Sequence, residues 1–151
     1  MIKKLQNNDA EISRKIQSVF QDSYTVEAQL LNAIDFPPLK RKLESYTNSN
    51  NEFFGYLKNE ELTGVIEINN SSNYTHIQSL VVSPKFFRQG IGRELMEFTL
   101  NSFGTKTLMV ETGVNNGPAT TLYKKLGFIE VKQWNTGHGI RKIRFEKYID
   151  S

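Results

Sequence analysis

The chain has 151 residues, of which 38% are hydrophobic and 23% are charged, a composition typical of a globular protein and not of a disordered one. It has no cysteine and only two histidines, which excludes disulfides, thiol nucleophiles and thiolate metal sites and argues against a histidine metal centre. Its net charge of +3 is mild and spread along the chain, and no apolar run reaches membrane length, so we predict a soluble cytoplasmic protein that binds neither nucleic acid nor membranes.

This length predicts one domain, residues 1–151. A short strand over residues 2–5 precedes a helix with a capping box at Asn8 and Glu11 and an apolar face at helical spacing. Polar residues 22 and 23 predict a break and then a second helix over residues 24–33. The prolines within residues 35–38 predict a loop, after which helical structure resumes over residues 39–46.

The rest of the chain alternates strands with two further helices. Residues 52–57, 62–68 and 74–82 predict an antiparallel meander. The later elements are a helix from residue 91, a strand over 107–111, a helix that ends at Gly127, and strands over 128–133 and 140–149. The order β-α-α-β-β-β-α-β-α-β-β predicts an α/β (α+β) fold with a central mixed, mostly antiparallel sheet and about four helices. The last strand, if it lies at a sheet edge, offers a route to a homodimer.

Residues 80–93, LVVSPKFFRQGIGR, form an apolar strand end followed by a basic, glycine-containing turn. Pro84 stops the strand, and Gly90 and Gly92 open a helix between Arg88 and Arg93. The N–H groups of a first helical turn lack intrahelical partners, and the helix dipole is positive there. Because a dinucleotide fingerprint would need a third glycine and a Walker loop would need Gly-Lys-Ser/Thr, the stretch predicts either another kind of phosphate site or a tight turn with solvated arginines.

Residues 115–128, NNGPATTLYKKLGF, form a short helix with Pro118 in its first turn and Asn116 or Gly117 as its cap. Together with Gly90-x-Gly92, the pattern Asn116-x-x-Ala119-x-x-Leu122-Tyr123-x-Lys125-x-Gly127-Phe128 resembles the GNAT superfamily of acetyl-CoA-dependent N-acetyltransferases. The resemblance covers residues 76–130, and the predicted element order matches the superfamily's fold. One departure is Phe87, which stands where the superfamily motif has Gln or Arg; Arg88 offers a charge one residue later.

The resemblance implies transfer of an acetyl group from acetyl-CoA, as co-substrate and without a metal, to a primary amine by direct attack in a ternary complex. It also implies that the strand at residues 80–82 splays from its parallel neighbour at 107–111, which frees backbone groups for the pantetheine arm and the thioester oxygen. For Asn116, ordinary helix capping is an equal alternative. The residues that the resemblance assigns to cofactor binding are Leu80, Val81, Val82, Arg88, Gln89, Gly90, Ile91, Gly92, Arg93, Asn116, Ala119, Tyr123 and Lys125.

The catalytic candidates are a phenol and several carboxylates. Tyr123 matches the superfamily tyrosine that faces the cofactor sulfur, and a phenol with an ordinary pKa of about 10 can donate a proton to the departing thiolate. An alkyl ammonium must lose a proton before it can attack, and Glu111 and Glu67 are the candidate bases, with His76 or a water chain as alternatives. Glu27, Glu67 and Asp35 are candidates for attracting a cationic amine.

Two other functions compete with this one. A non-catalytic acyl-CoA-binding or sensing module on the same fold would keep the cofactor site without turnover. Acetylation of an aminoacyl-tRNA would predict a steep salt dependence of binding, and the mild charge argues against it. The acceptor is open between a polyamine, an amino acid, an antibiotic, a protein N-terminus and a lysine side chain.

Overall fold

The structure, a computed structural model, describes residues 1–103, 105–137 and 139–149, and His138 lies outside the described residues. The strands are β1 (Ile2–Leu5), β2 (Glu52–Lys58), β3 (Glu61–Asn70), β4 (Tyr74–Val82), β5 (Thr107–Gly113), β6 (Ile129–Asn135) and β7 (Arg141–Tyr148). The helices are α1 (Ala10–Leu30), α2 (Leu43–Thr47), α3 (Ile91–Ser102) and α4 (Gly117–Lys125). The strands and the last two helices follow one another in the predicted order, whereas the two helices predicted before residue 34 form the single helix α1, and α2 lies in the segment predicted to resume helically.

The strands form one seven-stranded sheet in the order β1-β2-β3-β4-β5-β7-β6. Every neighbouring pair is antiparallel except β4 and β5. The predicted mixed, mostly antiparallel sheet is therefore confirmed. The condition for a homodimer through the last strand is not met, because β7 lies between β5 and β6 and the edge strand is β6.

The helices cover both faces of the sheet. α1 and α2 pack on one face, in a core that includes Phe20, Tyr46 and Phe53. α3 and α4 pack on the other face, where Leu95 and Phe145 belong to the larger core cluster. Burying a large apolar side chain contributes about 1.5–3 kcal/mol, so both layers hold their helices firmly against the central strands. None of the described helices combines the length and the apolarity that crossing a membrane requires.

Helix α1 is continuous, and the break predicted at residues 22–23 is wrong. Asp and Ser have a lower helix propensity than Ala but do not obstruct the backbone, and the buried stripe continues past them to Ala28. The cap is Asp9 and not Asn8: its carboxylate accepts hydrogen bonds from the N–H groups of Glu11 at 2.9 Å and Ile12 at 3.2 Å.

The helix predicted over residues 39–46 is divided in two. Pro37–Lys40 forms a 3-10 turn with both prolines at its start, where a missing N–H loses no hydrogen bond. Arg41 and Lys42 are extended, and α2 begins only at Leu43. The extended residues bring Arg41 across to the sheet, where it contacts β3.

Candidate active site

The parallel ladder between β4 and β5 is short. It pairs residues 74–77 with residues 107–110 and ends at Ile77 and Val110, although β4 continues to Val82 and β5 to Gly113. A β-bulge lies at the same point, with Gln78 as the extra residue. Within the described part of the chain no backbone hydrogen bond joins the two strands beyond this point. One backbone edge of residues 78–82 is thus left without a strand partner.

Helix α3 begins beside this free edge. Gly90 caps it with a left-handed φ of 79°, and the first backbone hydrogen bond of the helix start runs from the Glu94 N–H to the Gly90 carbonyl at 3.0 Å. The N–H groups of residues 91–93 have no backbone acceptor among the described residues. A Cβ added to Gly92 would lie 3.9 Å from side-chain carbons of both Leu80 and Val82. The predicted phosphate-binding turn and the free strand edge are therefore neighbours.

The side chains predicted to bind the cofactor along β4 and at the start of α3 differ in what they offer. Val81 is 1% exposed and Ile91 is 3% exposed, so a ligand can reach only their backbone groups. Leu80 and Val82 are partly buried and pack against the core on the α3 side. The backbone, more than these apolar side chains, is the chemically useful part of this segment.

The polar residues of the turn lie at the surface. Arg88 is exposed and has a φ of 65°. Gln89 accepts a hydrogen bond from the Lys58 ammonium at 2.7 Å, and Arg93 pairs with Glu97, one helical turn later, at 2.8 Å. Three cationic side chains thus stand around the start of α3, which suits an anionic ligand.

Tyr123 lies on α4 and is only 4% exposed. Its ring packs against Phe128 and Phe145, with centroid distances of 6.0 and 5.8 Å. Burial raises the pKa of Tyr123, and the negative charge of Glu27 raises this pKa further. The hydroxyl is therefore protonated at neutral pH, the state in which a phenol can donate a proton.

Asn116 caps α4 and also ties it to α1. Its side-chain oxygen accepts the N–H of Ala119 at 3.3 Å, so the capping alternative is observed. Its Nδ2 donates to Glu27 Oε1 at 3.1 Å, and the Thr112 hydroxyl donates to the same oxygen at 3.4 Å. Burial raises the pKa of Glu27, against the lowering effect of these two hydrogen bonds. Lys125 is exposed and lies at the C-terminal end of α4, the opposite end from its capping residue Asn116.

A cleft of about 450 Å³ opens where β4 and β5 part. Helix α1 and the turn after it form one wall, and β4, β5 and the start of β7 form the other. Apolar lining comes from Leu31, Phe36 and Ile140, whereas Glu27 and Glu111 contribute carboxylates. Arg41 and Lys142 also line the cleft, but Arg41 is ion-paired with Glu67, so the two carboxylates are the groups that suit a cationic amine.

Glu111 lines the cleft, and its side chain is 26% exposed. Its Oε2 lies 3.7 Å from Arg144 Nη1, while Arg144 makes a closer contact of 3.0 Å with Glu146. His76 is absent from the cleft lining, and burial lowers the pKa of His76, which favours its neutral form. Of these two candidates for the base, Glu111 alone borders the cleft.

Glu67 has a different environment from Glu111. It is 1% exposed, and its two oxygens accept four hydrogen bonds: from Arg41 Nη1 at 2.7 Å, Arg41 Nη2 at 3.0 Å, Asn51 at 2.9 Å and Ser79 at 3.1 Å. A carboxylate whose lone pairs are occupied in this way has little capacity to accept a substrate proton. The contacts favour a structural role and not the predicted role of base.

Sequence reasoning missed the central place of Glu27. Of the three carboxylates expected to attract an amine, Glu27 alone lines the cleft, whereas Glu67 is paired with Arg41 and Asp35 with Lys40. The sequence placed Glu27 on a predicted helix, three residues after Tyr24, but it gave no sign that Asn116 and Thr112 would hold its carboxylate, because these partners are far away in the chain. Across the described ranges, no three Asp, Glu or His side chains cluster so as to hold a metal ion.

Comparison with known proteins agrees with this geometry. Residues 21–149 match the family model of the acetyltransferase (GNAT) domain, and the chain belongs to that family. It is 34% identical over 149 residues to the UPF0157 protein YqkA of Bacillus subtilis (strain 168), a match that covers 98% of this chain and 43% of YqkA. The chain thus spans less than half the length of that relative.

Two solved structures show the same fold. The crystal structure of the ribosomal-protein-S18-alanine N-acetyltransferase from Escherichia coli has a TM-score of 0.79 and 20% identity, and the match covers 100% of this chain and 94% of that one. The PaiA N-acetyltransferase from Thermoplasma acidophilum, in complex with coenzyme A, has a TM-score of 0.73 and 18% identity, and the match covers 99% of each chain.

Proposed function

We propose that the chain is an N-acetyltransferase that transfers an acetyl group from acetyl-CoA to a primary amine by direct attack in a ternary complex. The observation that carries the proposal is the parting of β4 and β5 beyond Ile77 and Val110, with the start of α3 alongside. Family membership and the coenzyme A bound to the PaiA relative support it. The absence of cysteine supports direct attack, because no thiol is available to carry the acetyl group.

The chain's own groups fit acetyl-CoA, which supplies an activated thioester when it is bound. The free edge of residues 78–82 offers N–H and C=O groups to the amides of a pantetheine arm. The unpaired N–H groups of residues 91–93, together with Arg88 and Gly90, offer a pyrophosphate site. A backbone N–H of β4 directed at the thioester oxygen would stabilise the transition state by about 3 kcal/mol, by analogy with a single oxyanion donor.

We assign the acid role to Tyr123 on α4. Burial and the negative charge of Glu27 raise the pKa of Tyr123, so its hydroxyl is protonated at neutral pH. Glu111 is kept as a candidate base because it lines the cleft. For Glu67 we propose that it anchors Arg41 and takes no part in the proton transfer. The acceptor site is the cleft between α1 and the parted strands.

The test is calorimetric titration of acetyl-CoA, coenzyme A and pantetheine into the wild-type protein and into Gly90→Val. The left-handed φ of Gly90 disfavours a β-branched side chain, so the variant should lose most of the affinity for the phosphate-bearing ligands. Gly137→Val is the matched control, since Gly137 is exposed, has no neighbour within 4 Å and has no left-handed φ.

Acetyl transfer is then measured with a panel of amines that includes a polyamine, a lysine derivative and a peptide N-terminus. Transfer to one of them supports the proposal. Tight binding without transfer to any amine would favour the non-catalytic sensing module. No binding of any acyl-CoA would refute the proposal and the sensing module together.

A further inference from the structure

Glu27 reaches the cleft from α1 and is held there by two uncharged donors. Asn116 Nδ2 and Thr112 Oγ1 both bond to Oε1, at 3.1 and 3.4 Å. No hydrogen bond to Oε2 occurs within the described ranges, so this oxygen is available to a substrate in the cleft. Asn116 is itself fixed by its capping bond to the N–H of Ala119. The carboxylate is therefore oriented without being neutralised.

The charges around Glu27 distinguish it from the other carboxylates of this region. Glu67 is ion-paired with Arg41, and Glu111 lies 3.7 Å from Arg144. Glu27 forms no ion pair within the described part of the chain. The ionisable groups that face it are Tyr24 on α1, Tyr123 on α4, Lys142 on β7 and, across the cleft, Glu111. Arg41 lines the same cleft but is paired with Glu67.

A base for this reaction must be both near the reacting atoms and ready to accept a proton. Glu27 is close enough to raise the pKa of Tyr123 through its charge, and burial raises the pKa of Glu27 itself. A base is most effective when its pKa approaches the working pH. Glu27 thus lines the cleft as a proton acceptor, and Tyr123, the proton donor, lies buried on α4, the helix whose capping residue Asn116 bonds to Glu27.

We propose that Glu27 is the catalytic base that takes the proton from the acceptor ammonium, with Asn116 and Thr112 as its positioning residues. The inference rests on the proposed acetyl transfer and assigns the base to α1, in place of Glu111 on β5.

The proton balance is complete with these groups. Glu27 takes one proton from the ammonium, and the neutral nitrogen attacks the thioester carbonyl carbon. The C–N bond forms, the C–S bond breaks, and the electron pair leaves on sulfur, which receives the proton of Tyr123. The nitrogen loses a second proton, which restores Tyr123, and Glu27 returns the first proton to solvent. The net result is an amide, a coenzyme A thiol and one released proton.

The test is Glu27→Gln, because glutamine keeps an oxygen that can accept from Asn116 and Thr112 but cannot serve as the base. kcat/KM is measured with acetyl-CoA and two acceptors: the most active alkyl amine of the panel above, and hydroxylamine, which is already neutral at pH 7. For the alkyl amine we expect a fall of about 10²–10⁴-fold, the usual contribution of a general base. The fall with hydroxylamine should be much smaller, and with the alkyl amine the rate of the variant should rise with pH towards the pKa of the free amine, about 10.4, because only the neutral amine then reacts.

Two further variants sharpen the result. Glu11→Gln makes the same change in the exposed first turn of α1 and should leave both rates unchanged. Glu111→Gln should change the rates with the alkyl amine and with hydroxylamine by the same factor. An equal loss of both rates in Glu27→Gln, or a selective loss in Glu111→Gln, would overturn the assignment of the base while leaving the acetyltransferase proposal intact. A wild-type protein that acetylates no amine refutes the proposed function instead, and the inference with it.

Discussion

Arg41 and Glu67 form a two-point ion pair that fastens the segment after α1 to the sheet. Nη1 donates to Oε1 at 2.7 Å and Nη2 donates to Oε2 at 3.0 Å. The guanidinium carbon also lies 4.0 Å from the centre of the Tyr46 ring. Because Glu67 is on strand β3 and Arg41 borders the cleft, this pair fixes one wall of the proposed acceptor site.

Replacing Arg41 by methionine should destabilise the protein strongly. The substitution leaves the Glu67 carboxylate buried without its cation, and breaking a buried pair in this way lowers the free energy of unfolding by about 3–5 kcal/mol. Urea denaturation measures the loss. Lys4→Met is the control, since it removes an exposed pair with Glu52 at 3.4 Å, a type of pair worth about 0–1 kcal/mol. Equal losses in the two variants would show that Arg41 is not the partner that Glu67 requires.

The element order was predictable from sequence because periodicity and turn residues are local signals. The place of β7 was not, because pairing β7 between β5 and β6 depends on contacts between strands far apart in the chain. The error in α1 has another origin. Asp22 and Ser23 lower helix propensity by only a few tenths of a kcal/mol each, and packing of the long apolar stripe outweighs that effect.

The candidate site also has one part that was predictable from local sequence signals and one part that was not. The cofactor turn shows in the sequence because a backbone site needs particular residues, such as the left-handed Gly90 and the strand-ending Pro84. The acid–base groups leave no such local mark. Arg41, which donates to the Glu67 carboxylate, is 26 residues from Glu67 in the chain, and Asn116, which orients Glu27, is 89 residues from Glu27.

Deleting the Tyr123 hydroxyl should affect turnover and little else. In Tyr123→Phe we expect transfer to slow by about 10²–10⁴-fold, as for the loss of a general acid, with acetyl-CoA affinity and folding stability close to wild type. Stability should hold because phenylalanine keeps the ring contacts with Phe128 and Phe145. Steady-state kinetics and calorimetry separate the two effects.

Tyr46→Phe is the matched control for that measurement. The Tyr46 hydroxyl is buried without a partner in the described part of the chain, and it lies on α2, in the core cluster on the opposite face of the sheet from Tyr123. Its removal should leave transfer unchanged. A Tyr123→Phe protein as active as Tyr46→Phe would withdraw the acid role from Tyr123.

Ser79 should matter more to stability than Tyr24. The Tyr24 hydroxyl donates to Ser79 Oγ at 3.3 Å, and Ser79 Oγ donates in turn to Glu67 at 3.1 Å. Ser79→Ala removes a donor from the buried carboxylate and the acceptor of Tyr24, and losses of this kind lower stability by about 1–3 kcal/mol. Tyr24→Phe removes one hydrogen bond and leaves Ser79 bound to Glu67, a loss of about 0.5–1.5 kcal/mol. Thermal unfolding of both variants checks the order, which a larger loss in Tyr24→Phe would contradict.

Glu27→Gln should make the protein more stable at neutral pH. Burial raises the pKa of Glu27 above its value in the unfolded chain, so the folded protein holds this proton more tightly. The stability that the group contributes is therefore fully present below the ordinary glutamate pKa of about 4.3, and it is lost as the pH rises through the raised value. Glutamine avoids the desolvated charge altogether. The variant should gain stability over wild type at pH 7, and this gain should shrink at acidic pH.

Urea midpoints at neutral and acidic pH test this. Glu11→Gln, in the exposed first turn of α1, is the control, because it removes a carboxylate that is not buried and should not show this gain in stability at pH 7. A Glu27→Gln protein less stable than wild type at pH 7 would mean that the bonds from Asn116 and Thr112 stabilise the carboxylate more than burial disfavours it. A gain in stability together with a loss of turnover would instead be the trade-off expected of a catalytic group kept charged in a poorly solvated position.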